Sequence, residues 1–157
     1  MTPLLIEYSK KAELKQAWGD WVKDLALWDW YATLTFRDPS EEEQRRGYTQ
    51  RGVRYADKAW GLFLGVLTLP LGGMDWFRAF EFSMWRGKGQ GVPHIHALMS
   101  GVADLRRDEA WQWWFNRFGF ARILPYNREL GAGYYLTKYV TKELGDIRFS
   151  KGLTLRT

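Results

Sequence analysis

Between two β-forming runs, Phe77 to Trp85 and Val92 to Met99, the chain reads Arg86-Gly87-Lys88-Gly89-Gln90-Gly91. Three glycines alternating with polar side chains neither extend a strand nor nucleate a helix. The two runs are therefore expected to fold back on each other as an antiparallel hairpin. The flanking pattern extends this into a layered domain. Trp30-Tyr31-Ala32-Thr33-Leu34-Thr35-Phe36 alternates as a strand should, and Asp38-Pro39-Ser40-Glu41-Glu42-Glu43 stops it. Ser40 is the expected N-cap of a helix running to about Leu64, with acids in its first turn. Apolar spacing over Lys10 to Leu27 (Leu14, Ala17, Trp18, Trp21, Val22, Leu25) predicts an amphipathic helix. Asp104 to Phe118 reads as a helix capped by Asp104, with Trp111, Trp114, Phe115 and Phe118 on its core stripe. Gly119 to Leu124 reads as a short strand and Gly133 to Leu144 as a helix, and the last dozen residues as an edge strand or tail. The order α-β-α-β-β-α-β-α predicts an α+β fold, a central antiparallel sheet flanked by helices.

Composition narrows the class. The 157 residues are expected to form a single domain over 1–157, and 46% hydrophobic and 17% aromatic residues are enough to fill a core. The absence of cysteine excludes disulfides, thiolate metal sites and thiol nucleophiles. A net charge of +5 is a mild bias toward polyanions. The apolar start of the chain is too short, and interrupted by Glu7, to read as a secretion signal. The longest apolar run, Ala59 to Met74, is broken by Pro70 and several glycines, so no membrane span is expected. The expected setting is a monomeric cytoplasmic protein, nuclear in a eukaryotic host.

The two histidines both fall in Pro93-His94-Ile95-His96-Ala97. On a strand, residues two apart share a face, so both imidazoles project together while Ile95 and Ala97 point to the other layer. Two adjacent imidazoles suit a divalent metal, which also needs an anionic ligand. Glu81 on the preceding strand supplies it if the hairpin register places it opposite. A second cluster lies in Gly133-Tyr134-Tyr135-Leu136-Thr137-Lys138-Tyr139-Val140-Thr141-Lys142-Glu143. At about 100° per residue, Tyr135, Tyr139, Lys138 and Lys142 share one arc, while Leu136, Val140 and Leu144 form the buried stripe. A cation beside a phenol stabilises its phenolate, turning a weak nucleophile into a usable one.

These two motifs together resemble the HUH endonucleases, and among them the rolling-circle replication initiators. Tyr31-Ala32-Thr33-Leu34-Thr35-Phe36 resembles the family's first motif strand and Pro93-His94-Ile95-His96-Ala97-Leu98 its HUH motif. Tyr135-Leu136-Thr137-Lys138-Tyr139-Val140-Thr141-Lys142 resembles its tyrosine motif, with the double spacing of the two-tyrosine initiators. The resemblance covers about Tyr31 to Glu143, and the tyrosines follow the histidines as in initiators rather than preceding them as in conjugative relaxases.

The resemblance implies a metal-dependent, sequence-specific single-stranded DNA endonuclease and strand transferase that nicks a replication origin. His94, His96 and Glu81 would hold Mg²⁺ or Mn²⁺ against the scissile phosphate. Tyr139, with Tyr135 as a possible second, would attack it, leaving a 5′-phosphotyrosine and a free 3′-hydroxyl. Lys142 or Lys138 would stabilise the phenolate or the developing charge. Arg37, Arg86 and Lys88 are the candidate phosphate contacts. The partners implied are an origin nick site, in a hairpin or not, and the host helicase and replication machinery, since the chain has no GxxxxGK motif followed by Ser or Thr. Within the same chemistry stand a transposase and a relaxase-like transferase; outside it stand a water-using metallonuclease and a non-catalytic DNA-binding module.

Overall fold

A computed structural model of the chain describes residues 3–47, 52–68, 73–82, 93–131 and 147–154. Among the described residues five strands form one antiparallel sheet: β1 (Trp28–Leu34), β2 (Asp75–Phe82), β3 (Pro93–Ser100), β4 (Ala121–Pro125) and β5 (Ile147–Phe149), in the order β4-β1-β3-β2-β5. Around it lie α1 (Pro3–Lys23), α2 (Glu41–Arg45), α3 (Val53–Thr68), α4 (Arg107–Arg117) and the short α5 (Lys151–Thr154). The expected α+β class is the observed one, and β2 and β3 pair antiparallel as the hairpin pattern requires. The expected helix over 133–144 and the turn over 86–91 lie outside the described residues.

The sheet separates two cores. One face presents Trp30, Ala32, Leu34, Phe80, Ile95, Ala97, Met99, Ala121 and Ile123 to α3 and α4. Trp60 and Phe63 of α3 and Trp114 of α4 close over them, with Phe36 beside Trp114 at 5.3 Å between ring centroids. The indole N–H groups tie the layers together: Trp114 donates to the Thr35 carbonyl at 2.9 Å and Trp111 to that of Ala121 at 2.7 Å. Arg78 is wholly buried on this face, paired with Asp57 of α3 at 2.9 Å and stacked on the Phe80 ring. A buried charge is tolerated only when so partnered, and this pair fixes α3 to β2. The opposite face holds a smaller core of Val22, Trp28, Phe77, Ala79, Leu98 and Leu153, covered at one end by α1 and α5.

Several expectations are corrected. The single helix expected from Ser40 to Leu64 is two helices. Ser40 does cap the first, accepting from the Glu43 N–H at 3.1 Å, but Gly47 has φ +92° and ends it, a conformation glycine adopts at little cost. Asp104 is not the cap of α4. Arg106 holds that position without a side-chain cap bond, and Asp108 in the first turn accepts from the Glu109 N–H. The hydrogen bond from Arg106 at 2.7 Å holds the Asp108 carboxyl below its usual range. In α1 only part of the expected apolar stripe is covered: Val22 is buried, whereas Ala17 and Trp21 are exposed. Phe115 is likewise exposed, stacked on Trp111 instead of entering the core. After α4 the chain turns at Gly119, where a Cβ would meet Arg37 N at 2.7 Å and Thr35 O at 2.8 Å. Only glycine allows that close approach between the end of α4 and the strand β1 leaves.

Candidate metal centre

The register of the hairpin builds the site. β2 and β3 pair Glu81 directly with His94, and Ala79 with His96. Directly opposed residues of an antiparallel pair share a face, so Glu81, His94 and His96 emerge on the same side of the sheet. Proline fits the first position of β3, ahead of the two histidines, where its missing N–H costs least. Ala79 opposite His96 is small and leaves room for the carboxylate of Glu81 to reach the imidazole: Glu81 Oε2 lies 2.6 Å from His96 Nε2. One ligand atom from each of Glu81, His94 and His96 lies within 4.8 Å of the others.

The centre is sheltered rather than displayed. His96 is only 3% exposed, and its side chain and that of Glu81 are largely covered. Its second ring nitrogen is also engaged from β1. Thr33 is the residue opposite His96 and Tyr31 the diagonal one, and Nδ1 lies 3.3 Å from Thr33 Oγ1 and 3.2 Å from Tyr31 Oη. Two imidazole nitrogens and a carboxylate oxygen, preset by backbone register, form a donor set that fits a divalent cation. Three protein ligands would leave an ion room for further oxygen ligands.

The same face continues toward the β4 edge. Arg122 pairs with Thr33, which pairs with His96, so the three stand in one row across β4, β1 and β3. At about 4.8 Å per strand, the Arg122 backbone is roughly 10 Å from that of His96, and its side chain is exposed. Phe120, two residues earlier in the chain, is 60% exposed. Its carbonyl accepts from both the N–H and the hydroxyl of Thr35. Arg122 thus presents an exposed guanidinium at the β4 end of this row, and the exposed Phe120 ring lies just before β4 in the chain.

The other expected site residues fall as follows. Arg37 donates to the Phe115 carbonyl and lies over the Phe115 ring at 5.2 Å, so its guanidinium braces α4 against the end of β1. Tyr135, Lys138, Tyr139, Lys142, Arg86 and Lys88 lie outside the described residues. Tyr31, Thr33, Arg122 and Phe120 were not singled out by sequence reasoning as site residues. Alternation within β1 and β4 places Tyr31, Thr33 and Arg122 opposite the core positions, but only the pairing of β1 with β3 brings Tyr31 and Thr33 beside His96, and only the pairing of β4 with β1 sets Arg122 in the same row.

No family model, no curated protein and no solved structure matches the chain. Among the described residues, no helix is long and apolar enough to cross a membrane.

Proposed function

We propose that this chain is a metal-dependent single-stranded DNA endonuclease and strand transferase of the HUH type, nicking a replication origin through a tyrosine. The observation that carries the reading is the Glu81–His94–His96 cluster, three ligand atoms within 4.8 Å held by in-register strands. The tyrosine–lysine motif and the net charge of +5 add to it. The connection between motif and cluster is short: Ile147, five residues after Lys142, pairs with Ala79, and Ala79 pairs with His96. In the sequence, therefore, the tyrosine motif ends a few residues before β5, which pairs with β2.

In this reading His94, His96 and Glu81 hold Mg²⁺ or Mn²⁺. The bound ion supplies Lewis acidity to a non-bridging oxygen of the scissile phosphate. The protein's own groups do the rest. Arg122 binds a neighbouring phosphate and Phe120 offers a ring for a base to stack on, the usual combination for a single strand. Tyr139, or Tyr135, attacks phosphorus as its phenolate, with Lys142 or Lys138 countering the charge. The new bond joins the phenolic oxygen to phosphorus, and the bond to the 3′-oxygen breaks. That oxygen leaves with a proton as a 3′-hydroxyl able to prime synthesis, and the 5′ end stays on the enzyme. The reverse reaction rejoins strands.

Incubation with labelled single-stranded oligonucleotides and Mn²⁺ tests this. The expected result is a covalent protein–DNA band in denaturing gels, lost in the Tyr135→Phe/Tyr139→Phe double variant and lost or strongly reduced in Tyr139→Phe. Cleavage without any adduct would assign the cluster to a water-using nuclease and overturn the tyrosine mechanism. Binding of DNA with neither cleavage nor adduct would reduce the protein to a binding module.

A further inference from the structure

We propose that Tyr31, supported by Thr33, is the positioning residue of this centre: its hydroxyl holds the His96 ring so that Nε2, not Nδ1, is offered to the ion. The inference rests on the metal reading of the cluster but concerns groups that reading does not use.

His96 lies inside the sheet face with 3% of its surface exposed. A buried ring nitrogen without a partner is costly, so both nitrogens must be served by neighbouring groups. Nε2 meets Glu81 at 2.6 Å and Nδ1 meets the hydroxyls of Tyr31 at 3.2 Å and Thr33 at 3.3 Å. The two sides of the ring therefore have different chemistry, a carboxylate on one and hydroxyls on the other. The Tyr31 ring lies nearly parallel to the imidazole, at 24° with centroids 6.4 Å apart, which brings only its hydroxyl end to Nδ1. Reach explains why a tyrosine serves here. The diagonal position across an antiparallel pair is too distant for a short side chain and within range of a long aromatic one.

A hydroxyl differs from the carboxylate or carbonyl that usually orients a metal-bound histidine, because it both donates and accepts. In the neutral ring without an ion, an Nε2–H would donate to Glu81 and Nδ1 would accept the Tyr31 O–H. With Nε2 committed to an ion, the ring carries its one proton on Nδ1 and donates it to Tyr31 Oη. Tyr31 reverses its role by rotating one O–H bond, and no buried nitrogen is left unserved in either state. Thr33 is a second partner of the same kind at slightly longer range.

Two measurements on the intact chain test the assignment. In titrations with Zn²⁺ and with Mn²⁺, Tyr31→Phe is expected to weaken binding about 10–100-fold, the range for removing an orienting partner of a ligand. Thr33→Val should weaken it less, and the double variant more than either. Because the protein has two histidines, long-range ¹H–¹⁵N spectra contain only two imidazoles, assigned with His94→Asn. On saturation with Zn²⁺, His96 Nε2 is expected to lose its proton and take a metal-bound shift, while Nδ1 is protonated. A purely structural role for Tyr31 would move the thermal midpoint in EDTA and leave affinity and ligating atom alone; that pattern overturns the proposal. Zn²⁺ on His96 Nδ1 overturns it as well, as does Tyr31→Phe binding within twofold of the unaltered protein. If the unaltered protein binds neither ion, the metal reading itself fails and this inference falls with it.

Discussion

Glu81→Ala and His96→Ala are each expected to lower the single-turnover rate of Mn²⁺-dependent cleavage of single-stranded DNA by about 10²–10³-fold. That corresponds to roughly 3–4 kcal/mol of transition-state stabilisation, at about 1.4 kcal/mol per factor of ten. The size follows from how the site is made. Its three ligands come from adjacent positions of two paired strands, Glu81 opposite His94 and both beside His96. A strand cannot slide by one residue to bring in a substitute, because that would turn its whole core face outward. Two remaining ligands would hold an ion weakly and leave it misplaced relative to the phosphate. Arg122→Ala provides the contrast. Its side chain stands one row position beyond Thr33, so its loss should weaken DNA binding and its salt dependence while changing the rate at saturating DNA much less. Equal losses in all three variants, traced to unfolding by circular dichroism, would remove the catalytic assignment of the cluster.

The second large effect concerns the fold that holds the strands in place. Trp114→Ala is expected to destabilise the protein by about 3–5 kcal/mol in urea unfolding followed at 222 nm. Trp114 is fully buried, with the Phe36, Phe63 and Phe118 rings 4.6–5.6 Å from its own. Its indole N–H serves the Thr35 carbonyl at 2.9 Å. Alanine would leave both a large cavity and an unserved carbonyl just past the end of β1. Against a typical total of about 5–15 kcal/mol, that is a large share. Phe120→Ala, at a ring 60% exposed, should stay within about 0.5 kcal/mol by the same measurement. A Trp114→Ala cost below 1 kcal/mol would mean that the α4 side of the sheet is not the main core.

The parts of this structure that were legible in the sequence are those set by local periodicity. Period-two alternation puts His94 and His96 on one face and Ile95 on the other, and Ile95 is buried in the main core. The glycine-rich turn implied the β2–β3 hairpin, and within it Glu81 was the acid available to the histidines. What was not legible depends on long-range pairing. That β1 inserts between β3 and β4 cannot be read from any segment alone, and with it go the Tyr31 and Thr33 contacts to His96 and the row that ends in Arg122. The single helix expected from Ser40 to about Leu64 overruns an interruption that residue spacing alone does not locate. The backbone at Gly47 breaks it. Arg37, a candidate phosphate contact by its place after the first strand, also braces α4 through Phe115, whose exposure helical spacing does not foretell.

The central claim is that Glu81, His94 and His96 bind one divalent cation. Titration of Mn²⁺ into the protein, with the six-line electron paramagnetic resonance spectrum of the free ion as the readout, tests it most directly. One site per chain is expected, abolished in the His94→Ala/His96→Ala double variant while its circular dichroism spectrum is retained. An absence of bound Mn²⁺ in the unaltered protein, or a site that survives the loss of both histidines, would contradict it.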